Sequence, residues 1–224
     1  MEKPVIFLGP SLSRDKARKI FDAEYRPPAK KGDFLMLASD NSVQLVGFVD
    51  GVFLQDYPPT PIEVYRLARK EGVLLAGAAS LGALRAVELE KFGMIGIGTI
   101  FRLYKEGKLN ADDEVAVTFA HEGDYLLQSE AMIDIRYNLF LAYKKGIVDK
   151  EAKNALVRVA KRTYFPQRNY ANIIEQTREK FPALAGAIDT FGRYITSNRK
   201  SLKEIDAMLL VKFLKERFLE STNQ

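Results

Sequence analysis

Ser80 occupies a place where a serine can do chemistry. The apolar run Val73-Leu74-Leu75-Ala76 enters the small residues Gly77-Ala78-Ala79, presents Ser80, and leaves through Leu81-Gly82-Ala83-Leu84-Arg85-Ala86-Val87-Glu88-Leu89. A strand that feeds a helix through a tight small-residue turn exposes a side chain, or backbone N–H groups, at the carboxyl edge of a parallel sheet. The order small-x-Ser-x-Gly is a near relative of the nucleophile elbow. Two readings stay open. The hydroxyl, or the N–H groups of Leu81 and Gly82 at the helix start, meets an oxyanion or phosphate. Alternatively, Ser80 caps the helix, while Gly77 and Gly82 only let helix and strand pack closely. Arg85 lies about one and a half turns along. It either reaches back toward an anion at the turn or pairs with Glu88 or Glu90.

Four other places carry candidate acids or anion contacts. Asp50 ends an apolar strand before Gly51, where α/β sheets place catalytic carboxylates and where Asp-Gly turns also occur. Gly9-Pro10-Ser11 is a second strand end on the same expected edge. Glu63 stands in the first turn of a helix and competes as a base. Asp112-Asp113-Glu114 reads as a Mg²⁺ or acid/base cluster, or as a solvated loop. His121 is the single imidazole, and its His-Glu-Gly-Asp surroundings show no organisation for a serine–histidine pair. Further on, Arg158, Lys161, Arg162, Tyr164 and Arg168 mix cations with aromatics, as protein hot spots and nucleic-acid surfaces both do. No recognition-helix or RNA-module signature accompanies them, so the expected partner is a protein.

These residues need a scaffold, and the composition supplies an ordinary one. The chain has 224 residues, 47% hydrophobic and 28% charged, enough for a sizeable core. It has no cysteine, which excludes disulfides, thiolate metal sites and persulfide carriage. One histidine leaves a zinc site mostly carboxylate ligands, which argues against one, and no cofactor is expected. No apolar run reaches the ~18 residues of a membrane span. A strand begins almost at Met1, so the expectation is a cytoplasmic protein without a signal peptide. Charge is uneven. Residues 1–124 carry 16 Lys/Arg against 18 Asp/Glu, and residues 125–224 carry 18 against 11. A slightly acidic front and a basic back suggest chemistry first and docking behind, or simply a helical region with solvated lysines.

The elements alternate. Val5 to Leu8 reads as a buried strand, followed by a helix over about 13–23 with Ser11 or Ser13 as cap. Phe34 to Ala38 is predicted as a short strand, and Leu45 to Val49 as a firmer one. Thr60, Pro61 and Glu63 start a helix running to Gly72. Val73 to Gly77 is the next strand, and Leu81 to Phe92 the next helix. Val115 to Val117 is predicted as a strand. From about Gln128 the patterns are helical, with Ile133, Leu139, Phe140 and Tyr143 as an apolar stripe and later helices near 149–162, 169–180 and 201–219. Strand–helix alternation predicts an α/β class with a parallel sheet and crossover helices over 1–124. A mostly helical, basic region follows over 125–224, joined near His121 to Asp124.

The stretch Gly77 to Leu89, with Phe92-Gly93-Met94-Ile95-Gly96-Ile97-Gly98, Tyr104, Gly107 and Asp112 to Val117 behind it, resembles the core signature of TfuA-like proteins. Upstream, Phe7 to Leu12, Pro27-Pro28-Ala29 with Gly32-Asp33, and Val49 to Phe53 also fit. The resemblance implies a YcaO partner, which uses ATP to activate a peptide backbone amide, and a role in thioamide formation. Implied substrates are ribosomal peptides or a glycine of methyl-coenzyme M reductase. The implied sulfur source is a thiocarboxylated, ThiS-like carrier. Without cysteine, the chain can open the carrier's thiocarboxylate, bind released sulfide, or only bridge donor and acceptor. The first suits the elbow, by attack on the carbonyl by Ser80, or by a water activated by Asp50, Glu63 or Asp113. Arg85 and N–H groups among Gly9, Ser11, Gly77, Leu81 and Gly82 would stabilise the oxyanion. The alternative is a non-catalytic adaptor that docks YcaO with its substrate or donor. A nucleotide-binding reading is weaker, because neither a P-loop lysine nor G-x-G-x-x-G is present.

Overall fold

The computed structural model describes residues 2–52, 56–120 and 125–222. Those residues divide into two compact units, one holding 2–110, Tyr125 and 203–222, the other 111–120 and 126–202. The stretch His121 to Asp124 lies outside the described residues.

The first unit is a five-stranded parallel sheet in the order β2-β1-β3-β4-β5. Its strands are β1 (Val5–Phe7), β2 (Glu24–Arg26), β3 (Leu45–Phe48), β4 (Leu74–Ala78) and β5 (Ile95–Ile97). Val5 pairs with both Glu24 and Val46, Gly47 with Ala76, and Gly77 with Gly96. The chain moves outward from β1 to β2, then returns to the other side of β1 for β3. That reversal opens a crevice outside the carboxyl ends of β1 and β3, where doubly wound sheets hold their ligands.

Alternation along β1 divides the core. Phe7 joins Phe34 and Phe48 on one face, with ring centroids 4.8–6.4 Å apart. Three helices belong with that face or the sheet end beside it: α2 (Asp33–Ser39), α3 (Pro61–Ala68) and α4 (Leu81–Leu89). Ile6 faces the other way and packs with Ala76, Ala78 and Ala17 of α1 (Arg14–Ile20). α5 (Gly98–Lys105) follows β5. The helix that completes this second face comes from the far end of the sequence: α10 (Leu202–Thr222) contributes Ala207, Leu210, Val211 and Leu214. Gly47 makes room for it, since a Cβ there would lie 2.7–2.8 Å from methyls of Leu214 and Leu210. Asp206 then fixes the register of α10. Its fully buried carboxylate accepts the N–H groups of Thr99 and Ile100 at 3.0 and 2.7 Å, capping α5.

The second unit holds α6 (Met132–Lys144), α7 (Lys150–Arg162), α8 (Tyr170–Lys180) and α9 (Ala185–Asn198). Asp149 and Asn169 cap α7 and α8 by accepting the N–H groups of Ala152 and Asn172. Met132, Ile135, Leu139, Leu156, Ile173, Ile188 and Phe191 form the core. Among the described residues no helix is long and apolar enough to cross a membrane.

Three expectations change. Phe34 to Ala38 is helical, because Gly32 turns left-handed ahead of Asp33 and buries Phe34 and Leu37 at i, i+3. Val115 to Val117 is no strand. Glu114 is drawn in by ion pairs, and among the described residues the pairing nearby is the bridge Phe119–Leu127. Phe140 and Tyr143 leave the buried stripe and are exposed, since Ile135, Leu139 and Ala142 already fill the inner face of α6.

Candidate functional site

β4 ends in a turn of unusual backbone. Ala79 takes φ 65°, and the Ser80 N–H returns to the Ala78 carbonyl at 2.8 Å, a one-residue γ-type turn. A left-handed alanine costs about 1 kcal/mol. Packing imposes it here, because Ala79 is fully buried. Ser80, the residue before α4, is largely buried rather than exposed, at 9%, yet its hydroxyl caps no N–H group and has no hydrogen-bond partner among the described residues. The helix-cap reading therefore has no bond behind it.

α4 stands directly on the end of β3. Gly82 donates to the Val49 carbonyl at 3.2 Å, and a Cβ on Gly82 would lie 1.7 Å from the Phe48 carbonyl oxygen. Only glycine permits that approach. Asp50, next along, reaches across to the loop after β1. Its Oδ2 accepts Gly9 N–H at 2.9 Å and Ser11 N–H at 3.1 Å, and its Oδ1 accepts the Ser11 hydroxyl at 2.6 Å. The carboxyl ends of β1, β3 and β4 thus gather Gly9, Ser11, Asp50, Gly77, Ser80, Leu81 and Gly82 on one edge. At the same edge, a cavity of about 400 Å³ opens beside β1 and β2, lined by residues including Arg26, Lys30, Asp33 and Tyr125.

The donors on this edge can be counted. The amides of Gly9 and Ser11 are spent on Asp50, and that of Gly82 on Val49. Gly77 lies within β4, between Phe48 and Gly96. The Leu81 N–H has no acceptor among the described residues, as expected of a first helical amide. One unspent donor follows one unspent hydroxyl.

The flanking acids are occupied. Glu63 closes a capping box, its Oε1 accepting Thr60 N–H at 2.6 Å, while Oε2 accepts Gly32 N–H at 2.6 Å. Arg85 places Nη1 on both oxygens of Glu88 at 2.9–3.0 Å, and its buried Nε has no partner among the described residues.

Asp113 and Glu114 belong to the second unit, in a short 3-10 turn over Asp112–Glu114. Asp113 holds Lys161 at 2.5 Å and Arg168 at 2.6 Å, and Glu114 accepts both arms of Arg136 and Lys161. Burial pushes both carboxyls up, but these cations outweigh it and hold them below the usual carboxylate range. Asp112 remains exposed. Of the basic–aromatic cluster, Arg168 is only 2% exposed and turned inward, where it also donates to the Ala160 and Thr163 carbonyls. Arg158, Arg162 and Tyr164 stay at the surface. The Gly32 amide on Glu63 and Arg136 on Glu114 escaped sequence reading, since separations of 31 and 22 residues carry no periodic signal.

A doubly wound parallel sheet with an elbow-like serine turn at its carboxyl edge, followed by a helical region, defines the class. The family model described as TfuA-like protein matches residues 50–169, more than half of the chain. The chain belongs to the TfuA-like family, which is associated with YcaO-type thioamidation. No curated protein matches the sequence at a significant level.

Proposed function

We propose that this chain partners a YcaO enzyme in backbone thioamide formation and supplies sulfide by hydrolysing the thiocarboxylate of a ThiS-like carrier. The observation that carries the reading is the Ala78–Leu81 turn, with a strained backbone and, beside it, a Ser80 hydroxyl and a Leu81 N–H that have no partner among the described residues. Strain held by packing at such a turn is a feature of functional sites.

The proton balance of the acyl transfer closes on the substrate's own sulfur. Ser80 Oγ bonds to the thiocarboxylate carbon, and its proton passes to the departing sulfur, which carries the negative charge of the thiocarboxylate. The C–S bond breaks and HS⁻ leaves. Water then opens the Ser80 ester, releasing the carrier carboxylate and one proton and restoring the hydroxyl. The Leu81 N–H steadies the tetrahedral oxyanion in both steps. Asp50 holds the Gly9–Ser11 loop against this edge, and Glu63 fixes the start of α3.

The test is sulfide release from a thiocarboxylated carrier. Ser80→Ala is expected to lose it at least ~100-fold, the scale of removing a nucleophile, while still binding YcaO. Unchanged release removes Ser80 from the chemistry.

A second reading, the adaptor, draws on the commitment of Asp50, Glu63 and Asp113 to other partners. It expects full YcaO turnover with added free sulfide to need this chain still.

A further inference from the structure

We infer that the outer face of α3, continued by Phe92, is the docking surface for the sulfur carrier, and that the carrier covers it with acidic side chains around an apolar centre. The inference rests on the hydrolytic reading above. Ile62, Tyr65, Arg66 and Arg69 recur at i, i+3, i+4 and i+7, so they form one stripe, and all four are exposed. Ile62 is 68% and Phe92 43% exposed, and the Tyr65 and Phe92 rings meet edge to face at 5.1 Å. An aromatic pair beside arginines is the composition of an interface hot spot.

Charge decides the occupant. Arg66, Arg69 and Lys91 have no side-chain ion pair or hydrogen bond among the described residues. Nearby Arg85 and Lys105, by contrast, are paired with Glu88 and Glu90. A second copy of this chain would set these cations against each other, which opposes association. An acidic surface neutralises them.

Reach agrees. From Ser80 to Phe92 is twelve residues along α4 and its last turn, ~18 Å at helical rise. A tail of about six extended residues covers that distance. The Arg85 Nη2 contact to the Pro59 carbonyl ties the middle of α4 to the entry of α3. A folded body seated on Tyr65 and Phe92 therefore sets its terminal carbon at the Ser80 turn.

The test is calorimetric binding of the full chain to the carrier bearing an ordinary C-terminal carboxylate, without YcaO. The Arg66→Glu/Arg69→Glu double variant is expected to bind about 100-fold more weakly and Tyr65→Ala about tenfold more weakly. Arg66→Lys/Arg69→Lys, which keeps the charge, should bind within a few-fold of the parent. In sulfide release, the charge-reversed protein should show a raised KM and an unchanged kcat. Ser80→Ala should show the opposite split, keeping affinity for the carrier. Equal affinity of parent and charge-reversed proteins overturns the assignment. So does loss of YcaO binding alone, which would give this face to YcaO. A parent chain that binds no carrier overturns the hydrolytic reading itself. Parent binding with unaffected variants overturns only the surface.

Discussion

Asp50 separates a positioning role from a catalytic one, and substitution by asparagine tells them apart. The carboxylate is 1% exposed and accepts three hydrogen bonds, from Gly9 N–H, Ser11 N–H and the Ser11 hydroxyl. Asp50→Ala leaves three buried donors without an acceptor. At about 1–3 kcal/mol each, less partial rearrangement, the loss should be about 4 kcal/mol. Asn is nearly the same shape. Its amide oxygen can take the two backbone N–H groups, and its NH₂ can donate to Ser11 Oγ, since a hydroxyl accepts as readily as it donates. Asp50→Asn should therefore lose only about 1 kcal/mol. Urea unfolding of the three proteins measures stability, and sulfide release from the thiocarboxylated carrier measures activity. If Asp50 only clamps the loop, Asn keeps activity within a few-fold while Ala loses stability and activity together. An Asn protein as stable as the parent but slowed a hundredfold would refute this reasoning, because only a proton-accepting Asp50 is disabled without being unfolded.

Two further outcomes follow from the packing and the buried charge. Gly82→Ala drives a methyl to 1.7 Å from the Phe48 carbonyl oxygen, which is rigid backbone. α4 must shift, at a cost of about 3 kcal/mol or more, and sulfide release should fall with the thermal midpoint. Glu130, in the second unit, is pushed up to about 7 by burial, with Asp134 adding to the rise and the paired Arg199 opposing it. Its unfolded value is about 4.3, so the unfolded chain gives up this proton first. Stability is then lost as pH rises from about 4.3 to 7, and the penalty is complete above that. Glu130→Gln should remove this slope between pH 5 and 8 in denaturant titrations. A parent protein whose stability is flat across that window contradicts the assignment.

The sequence made the sheet legible where apolar runs met small residues. Val73 to Ala76 running into Gly77–Ser80 named both β4 and the turn, because that junction is a local pattern. The left-handed Ala79 was not legible, since only the packing around it compels an alanine to adopt such a backbone. Phe34 to Ala38 is five apolar residues, equally consistent with a buried strand and a short helix, and the Gly32 conformation decided between them. The Arg158–Tyr170 cluster looked like one surface because charge was read along the chain. Its most buried member, Arg168, answers to Asp113, 55 residues earlier. The stripe Ile62, Tyr65, Arg66, Arg69 did carry a readable helical spacing, but exposure of the apolar members emerges only from what α3 covers.

The helix that completes the sheet lies some two hundred residues beyond the first strand. α1 covers part of the face of Ile6, Ala76 and Ala78 on the nascent chain, and the rest waits for Ala207, Leu210 and Leu214 to leave the ribosome. The front unit cannot finish folding as it is translated, and its slow step is a closure between sequence-distant partners. The interval between β1 and α10 is when misassociation threatens. Asp206, meeting the amides of Thr99 and Ile100, is the latch that ends it.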